Sequence, residues 1–226
     1  MKVLLINPPY INFEGMKESG GHMAPFNLAY LAGYLRKEVD CEIKILDTEA
    51  LGLNYQEIEK FLEQEKPDIA GFTCLSPTVN HVFKICEIIK TKLKINCATV
   101  LGGIHPTILP AETMENSYVD FAVIGEGEIT FSELIKFIKE KRDDFEKING
   151  LYYKKNGKVF NSLPREFIPN LDSIPFPARD LLDLKLYYSA PTKKLTSDDS
   201  TSILTSRGCA FDCIHCVSKS IWHRKI

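Results

Sequence analysis

Five short, β-rich apolar runs recur along the first part of the chain, at residues 2–7, 42–47, 68–73, 98–101 and 121–124. Between them, apolar residues fall at helical spacing: Leu28, Leu31, Ala32 and Leu35; Tyr55, Ile58 and Leu62; Val79, Val82, Phe83, Cys86 and Ile89; Phe131, Leu134, Ile135 and Ile138. Asn54, with Glu57 three residues on, has the pattern of a capping box for the second helix. Strands that are apolar throughout must be covered on both faces, and amphipathic helices between them supply the cover. The expected fold is therefore α/β: a doubly wound, flavodoxin-like domain over residues 1–140 with a parallel five-stranded sheet.

After residue 140 the pattern changes. Residues 151–155 and 158–160 flank Asn156-Gly157, the dipeptide best suited to a type I′ turn, so a small β-hairpin is expected there. Pro169, Pro175 and Pro177 then restrict the chain to extended or turn geometry, which suits a linker lying over a surface. Hairpin and linker together occupy 141–200, with the polar stretch SAPTKKLTSDDS as a loop near its end. A strand over 201–205 is expected to lead into Cys209 and to open a further unit over 201–226.

An apolar fraction of 44% suits a globular core, and a formal charge of −2 without a long basic run gives no footprint for nucleic acid. The N-terminal run MKVLLINPP is too short, and too soon broken by proline, for a signal peptide or a membrane span, so a cytoplasmic protein is expected. Four of the seven cysteines, Cys41, Cys74, Cys86 and Cys97, stand among apolar residues and read as reduced and mostly buried.

In an open parallel sheet, ligands bind outside the carboxyl ends of the strands, near the point where strand order reverses. Here those ends carry Asn7-Pro8-Pro9-Tyr10, Thr73-Cys74-Leu75-Ser76, Gly102-Gly103-Ile104-His105-Pro106-Thr107 and Gly125-Glu126-Gly127-Glu128. Glycine and small polar residues at every end leave room for a large ligand to approach the backbone, although βα turns alone can also require them. A dinucleotide is disfavoured, because the first βα turn has two prolines in place of a glycine fingerprint and so lacks amide donors for a pyrophosphate. Glu126 and Glu128 stand near a helix start, where carboxylates favour the dipole and repel phosphate. His105 is open to three readings: a metal ligand, a hydrogen-bonding partner of a cofactor, or a loop histidine packed on Pro106. His22 could cover the same crevice.

Cys209, Cys213 and Cys216 form a Cys-x3-Cys-x2-Cys loop. Soft thiolates of this kind select zinc, copper(I) or an iron–sulfur cluster. His215 could nominally complete a zinc set, but it adjoins Cys216, and one ion would accept both only with strain. A cubane cluster can use three cysteines and leave one iron open, so the spacing favours the cluster.

The run Cys209-Ala-Phe-Asp-Cys213-Ile-His-Cys216, preceded by SRG, resembles the cluster motif of radical S-adenosylmethionine enzymes. His215 takes the place where that family commonly has an aromatic residue. The resemblance implies a 4Fe-4S cluster on the three cysteines, with S-adenosylmethionine chelating the open iron. The upstream part is similar to the cobalamin-binding domain that precedes the radical barrel in one branch of the family. Thr73 and Leu75 match a Ser-x-Leu element, Gly102-Gly103 match paired glycines, and PFNLAYLAGYL, GGIHPT, GEGE and LDSIPFPARDLL resemble that branch as well.

The resemblance implies a cofactor site built from Asn7, Pro8, Pro9, Thr73, Leu75, Ser76, Gly102, Gly103, His105, Pro106, Thr107, Gly125, Glu126 and Gly127. The Asp-x-His-x-x-Gly element that supplies histidine to cobalt in other cobalamin domains is absent after the first strand, where Asn7-Pro8-Pro9-Tyr10-Ile11-Asn12 stands. A (β/α) barrel needs on the order of 200 residues, and only ten follow Cys216. The chain is thus expected to be the N-terminal part of a radical enzyme, a methyltransferase or a catalyst of a related radical transformation in its parent form but not catalytic by itself. A cobalamin-free packing or substrate-binding module and a flavodoxin-like domain with a zinc tail are the alternatives.

Overall fold

The computed structural model describes residues 1–10, 21–189 and 201–225. Seven strands form one sheet: β1 (Lys2–Asn7), β2 (Glu42–Asp47), β3 (Ile69–Thr73), β4 (Ala98–Gly102), β5 (Phe121–Val123), β6 (Leu151–Lys155) and β7 (Lys158–Asn161), in the order β2-β1-β3-β4-β5-β6-β7. The first five are parallel, and β6 and β7 extend the β5 edge as an antiparallel hairpin. Strand order reverses between β1 and β3, the second and third strands across the sheet, and the expected crevice lies at their carboxyl ends.

The apolar runs are continuous because alternate side chains enter two different cores. Val3 and Leu5 pack with Leu28, Ala32 and Leu35 of α1 (Phe26–Glu38) and with Phe131 and Leu134 of α6 (Gly127–Lys139). Leu4 and Ile6 point the other way, to Ile58 and Leu62 of α2 (Tyr55–Glu65) and Val82, Ile85 and Cys86 of α3 (Val79–Glu87). A π-helical stretch, Ile88–Lys92, carries α3 onward. The capping box at α2 is present: Asn54 Oδ1 accepts the amides of Gln56 and Glu57, and Glu57 Oε2 accepts the Asn54 amide at 2.9 Å. The hairpin turns at Asn156 and Gly157, both at positive φ (53° and 73°), as a type I′ turn requires.

Two short helices, α4 (Ile104–Ile108) and α5 (Pro110–Glu115), follow β4, where the sequence reading marked only loop residues. The proline-containing linker lies on α1: the Ala178 amide donates to the Ala29 carbonyl at 2.9 Å, and Ala178 and Leu182 are buried. The run 201–205, expected as a strand, is not one. A strand needs a ladder partner, and this segment is held through a side chain instead: Arg179 donates to Thr201 Oγ1 at 2.6 Å and to the Ser202 carbonyl at 2.8 Å. A last short helix, α7 (Ser218–Trp222), packs against α4. Most of the polar loop SAPTKKLTSDDS lies outside the described residues, as do Ile11 and Asn12. Among the described residues no helix is long and apolar enough to cross a membrane.

Candidate functional site

At the carboxyl ends of β3, β4 and β5 lies a cleft of about 400 Å³, bounded on one side by α1 and α6. Its size falls within the range of small-molecule sites. Asn27, Tyr30 and Leu31 of α1 and Phe131 of α6 form one wall; Gly71, Thr73, Gly102 and Gly103 form the floor. The floor is low for a steric reason. A β-carbon on Gly102 would meet nothing nearer than 4.0 Å, so its absence adds open space. Gly103 has φ +105°, and a β-carbon there would come within 3.0 Å of the Cys74 carbonyl oxygen. Glycine is thus required at 103 by the backbone and at 102 by the room it leaves.

Of the residues expected from sequence, Thr73, Gly102, Gly103, Gly125, Glu126 and Gly127 line the cleft. Thr107 supports it from behind: its hydroxyl donates to the Gly103 carbonyl at 2.7 Å and accepts the Gly125 amide at 3.0 Å, joining the β4 and β5 loops. Asn7, Pro8 and Pro9 sit at the end of β1, outside the lining; Asn7 donates to Asp47 Oδ1 at 2.8 Å. Leu75 begins the turn after β3, where its amide donates to Thr78 Oγ1 at 3.1 Å.

His105 and Pro106 are buried in a corner beside the cleft floor, and Ser76, exposed in the turn after β3, reaches the histidine. His105 is 2% exposed; its Nδ1 lies 3.1 Å from Ser76 Oγ, and its Nε2 has no hydrogen-bond partner. A buried nitrogen in that state costs about 1–3 kcal/mol, so it is a feature that a bound group would relieve. His22 stays away from this corner, in a bridge to Tyr188.

Sequence reasoning missed several contributors. Asn27 Nδ2 donates to Thr73 Oγ1 at 2.7 Å and ties α1 to the end of β3. Leu204, Arg207, Gly208 and Trp222 reach the cleft from more than 70 residues downstream of its β5–α6 loop. Arg207 pairs with Glu126 at 3.1 Å and with Glu128, whose side chains are 5% and 8% exposed. Burial alone would lower the guanidinium pKa, but the bonds to Glu128 and Glu126 outweigh it and raise it. Glu126 is doubly used, since its other oxygen accepts the Ile168 amide at 2.6 Å.

The three clustered cysteines are free; Cys209 and Cys216 are half-buried and Cys213 is exposed. Cys216 Sγ accepts the Ser218 amide at 3.5 Å and lies 3.2 Å from Ser218 Oγ, contacts that lower its thiol pKa, the hydroxyl foremost. Among the described residues, no three His, Cys, Asp or Glu side chains converge as a metal-holding set. The donor types expected from sequence are therefore present without being drawn to one centre. By contrast, Cys74, Cys86 and Cys97 are buried, as expected, and burial pushes the Cys74 and Cys97 thiols up to about 12. Cys41 is only partly buried.

Residues 15–135 match the B12 binding domain family. The chain is 38% identical over 220 residues to an uncharacterized methyltransferase of Pyrococcus horikoshii, covering 96% of this chain and 45% of that protein. It is 30% identical over 226 residues to the anaerobic magnesium-protoporphyrin IX monomethyl ester cyclase of Rubrivivax gelatinosus, covering 98% of this chain and 39% of the cyclase. The chain thus spans less than half the length of these relatives. Its fold is also that of the radical S-adenosylmethionine methyltransferase TsrM from Kitasatospora setae, solved with cobalamin and an iron–sulfur cluster bound (TM-score 0.66, 21% identity, 99% of this chain and 44% of that one). With more than half of its residues inside the family match, and with the strand order and cleft described above, this chain belongs to the B12 binding domain family.

Proposed function

We propose that the cleft holds cobalamin, with the nucleotide tail along the sheet, and that the chain is the corrinoid-carrying part of a cytoplasmic radical S-adenosylmethionine enzyme of methyltransferase type. The observation that carries this reading is the cleft itself: an apolar space of about 400 Å³ at the strand ends, floored by Gly102 and Gly103, with a buried histidine of free nitrogen, His105, in the short helix that follows them. Its size suits one arm of a corrinoid rather than the whole. The first βα turn has prolines where a pyrophosphate would need amides, which argues against a dinucleotide in the same place.

In this reading, Thr73, Gly102, Gly103, Gly125, Glu126 and Gly127 wall the tail, and Asn7, Pro8, Pro9, Leu75, Ser76, Pro106 and Thr107 shape the surrounding rim. His105, its ring fixed through Nδ1 by Ser76, offers Nε2 to a polar group of the cofactor. Bound cobalamin would supply a cobalt able to carry and transfer a methyl group. Cys209, Cys213 and Cys216 supply the donor set for a 4Fe-4S cluster and, through it, for S-adenosylmethionine, by type and spacing rather than by present convergence. Seven unpaired cysteines agree with a reducing compartment.

The test is direct. Hydroxocobalamin is added anaerobically to the purified chain, free cofactor is removed by gel filtration, and the visible spectrum is recorded. Corrinoid bands co-eluting with protein support the reading. Folded protein eluting without them favours a cobalamin-free packing module, a role to which the contact of Leu204 and Trp222 with the cleft would also be suited.

A further inference from the structure

Two arginines from the C-terminal half of the chain lie over two aromatic rings one turn apart on α1. Arg179 sits 4.5 Å from the centroid of Phe26 and binds Thr201 and Ser202; Arg207 sits 5.9 Å from the centroid of Tyr30 and binds Glu126 and Glu128. Between them, the segment 201–208 is drawn across the start of α1 and along the mouth of the cleft, where Leu204, Ser206, Arg207 and Gly208 become part of its lining.

The two attachments are unequal. Arg179 uses one hydroxyl and one carbonyl that are near the surface. Arg207 enters a receptor of two nearly buried carboxylates, one of which is itself held by the Ile168 amide. A guanidinium between two such carboxylates is directional and costly to break, because removing either sign leaves a charge without a partner in a place water reaches poorly. Glu126 is the N-cap of α6 and Glu128 lies in its first turn, and both line the cleft, so the receptor is built into the cleft wall.

We infer that Arg207 is a positioning residue: it fixes the segment leading into Cys209 across the cleft mouth, and its pairing with Glu126 and Glu128 couples retention of a ligand in the cleft to placement of the cysteine loop. The coupling to a ligand rests on the cobalamin reading above; the placement of the segment does not. The chain contains one tryptophan, Trp222, and that residue lines the same cleft, half-buried and stacked at an angle 6.0 Å from Phe167. Its fluorescence therefore reports closure with no second signal to separate.

The experiment compares the full 226-residue chain with Arg207→Gln, Arg207→Lys and the double variant Glu126→Gln/Glu128→Gln. Acrylamide quenching of Trp222 is measured without cofactor, together with thermal melting by circular dichroism; release of bound hydroxocobalamin is then followed by gel filtration. Arg207→Gln and the double glutamine variant are expected to raise the quenching constant and to speed corrinoid release by about tenfold or more. Arg207→Lys, which keeps the charge without the fork, should recover part of both. An unchanged quenching constant in a variant that melts like the parent overturns the inference, as does corrinoid release indifferent to Arg207. Should the parent chain retain no corrinoid, the cofactor reading fails and the quenching result alone decides the role of Arg207.

Discussion

The carbonyl oxygen of Phe176 lies 2.5 Å from the point where a β-carbon on Gly33 would stand. Gly33 is in the middle of α1, a poor place for glycine, and its presence lets the linker backbone rest directly on the helix. Replacing it with alanine sets two effects against each other. Helix propensity favours alanine by about 1 kcal/mol, whereas overpacking against a backbone atom costs about 1–3 kcal/mol. The clash should win, and Gly33→Ala is expected to lower stability to urea unfolding. A gain in stability would mean that the linker does not press on α1.

The paired glycines after β4 make a sharper contrast. A side chain on Gly103 meets both strain, at φ +105°, and the Cys74 backbone within 3.1 Å, so Gly103→Ala should destabilise the fold by about 1–3 kcal/mol. Gly102 has open space above it, and Gly102→Val places a β-branched residue at a strand end that tolerates it. That variant should melt near the parent and yet lose corrinoid in the gel-filtration assay. If it binds hydroxocobalamin as the parent does, the tail does not lie over Gly102.

Much of this site could be read without a structure, because strand ends are local. Gly102-Gly103, Thr73 and Gly125 announce themselves by residue type at the end of an apolar run, and the sheet topology then brings them together. The two cores were likewise legible, since runs such as Val3-Leu4-Leu5-Ile6 leave no polar face. What could not be read were partners set by tertiary packing. Asn27 reads as an ordinary helix-start residue until its amide is seen on Thr73. Glu126 and Glu128 read as helix-start carboxylates, and only the return of the chain shows that Arg207 neutralises them. The expected strand at 201–205 erred in the same way: a ladder depends on a neighbour, and the apolar content of a segment does not supply one.

Trp222 gives a second, ligand-side measurement. A corrinoid absorbs in the region where tryptophan emits, so occupation of a cleft that Trp222 lines should quench its fluorescence. Titration of the chain with hydroxocobalamin is expected to give a saturable loss of emission after correction for absorbance. The loss should disappear in Gly102→Val. A linear, non-saturating decrease would indicate collisional contact only and would count against occupation of the cleft.

The buried thiols predict how stability changes at high pH. Cys74 and Cys97 are held by burial with pKa values of about 12, against an ordinary value near 9 once the chain unfolds. Their neutral form is the one the folded state prefers, so this contribution is complete below pH 9 and is lost as pH rises from about 9 towards about 12. In that window each thiol should cost the folded state roughly 1.4 kcal/mol per pH unit. Lysine titration overlaps the same range, and the measurement must therefore be a difference. Urea unfolding at pH 8 and at a pH near 10.5 is compared for the parent chain and for Cys74→Ala and Cys97→Ala. Each alanine variant will be less stable than the parent at the lower pH because it leaves a cavity, but its stability should fall less on going to the higher one. An equal fall in parent and variants would show that these thiols reach solvent in the folded protein and ionise there as freely as in the unfolded chain.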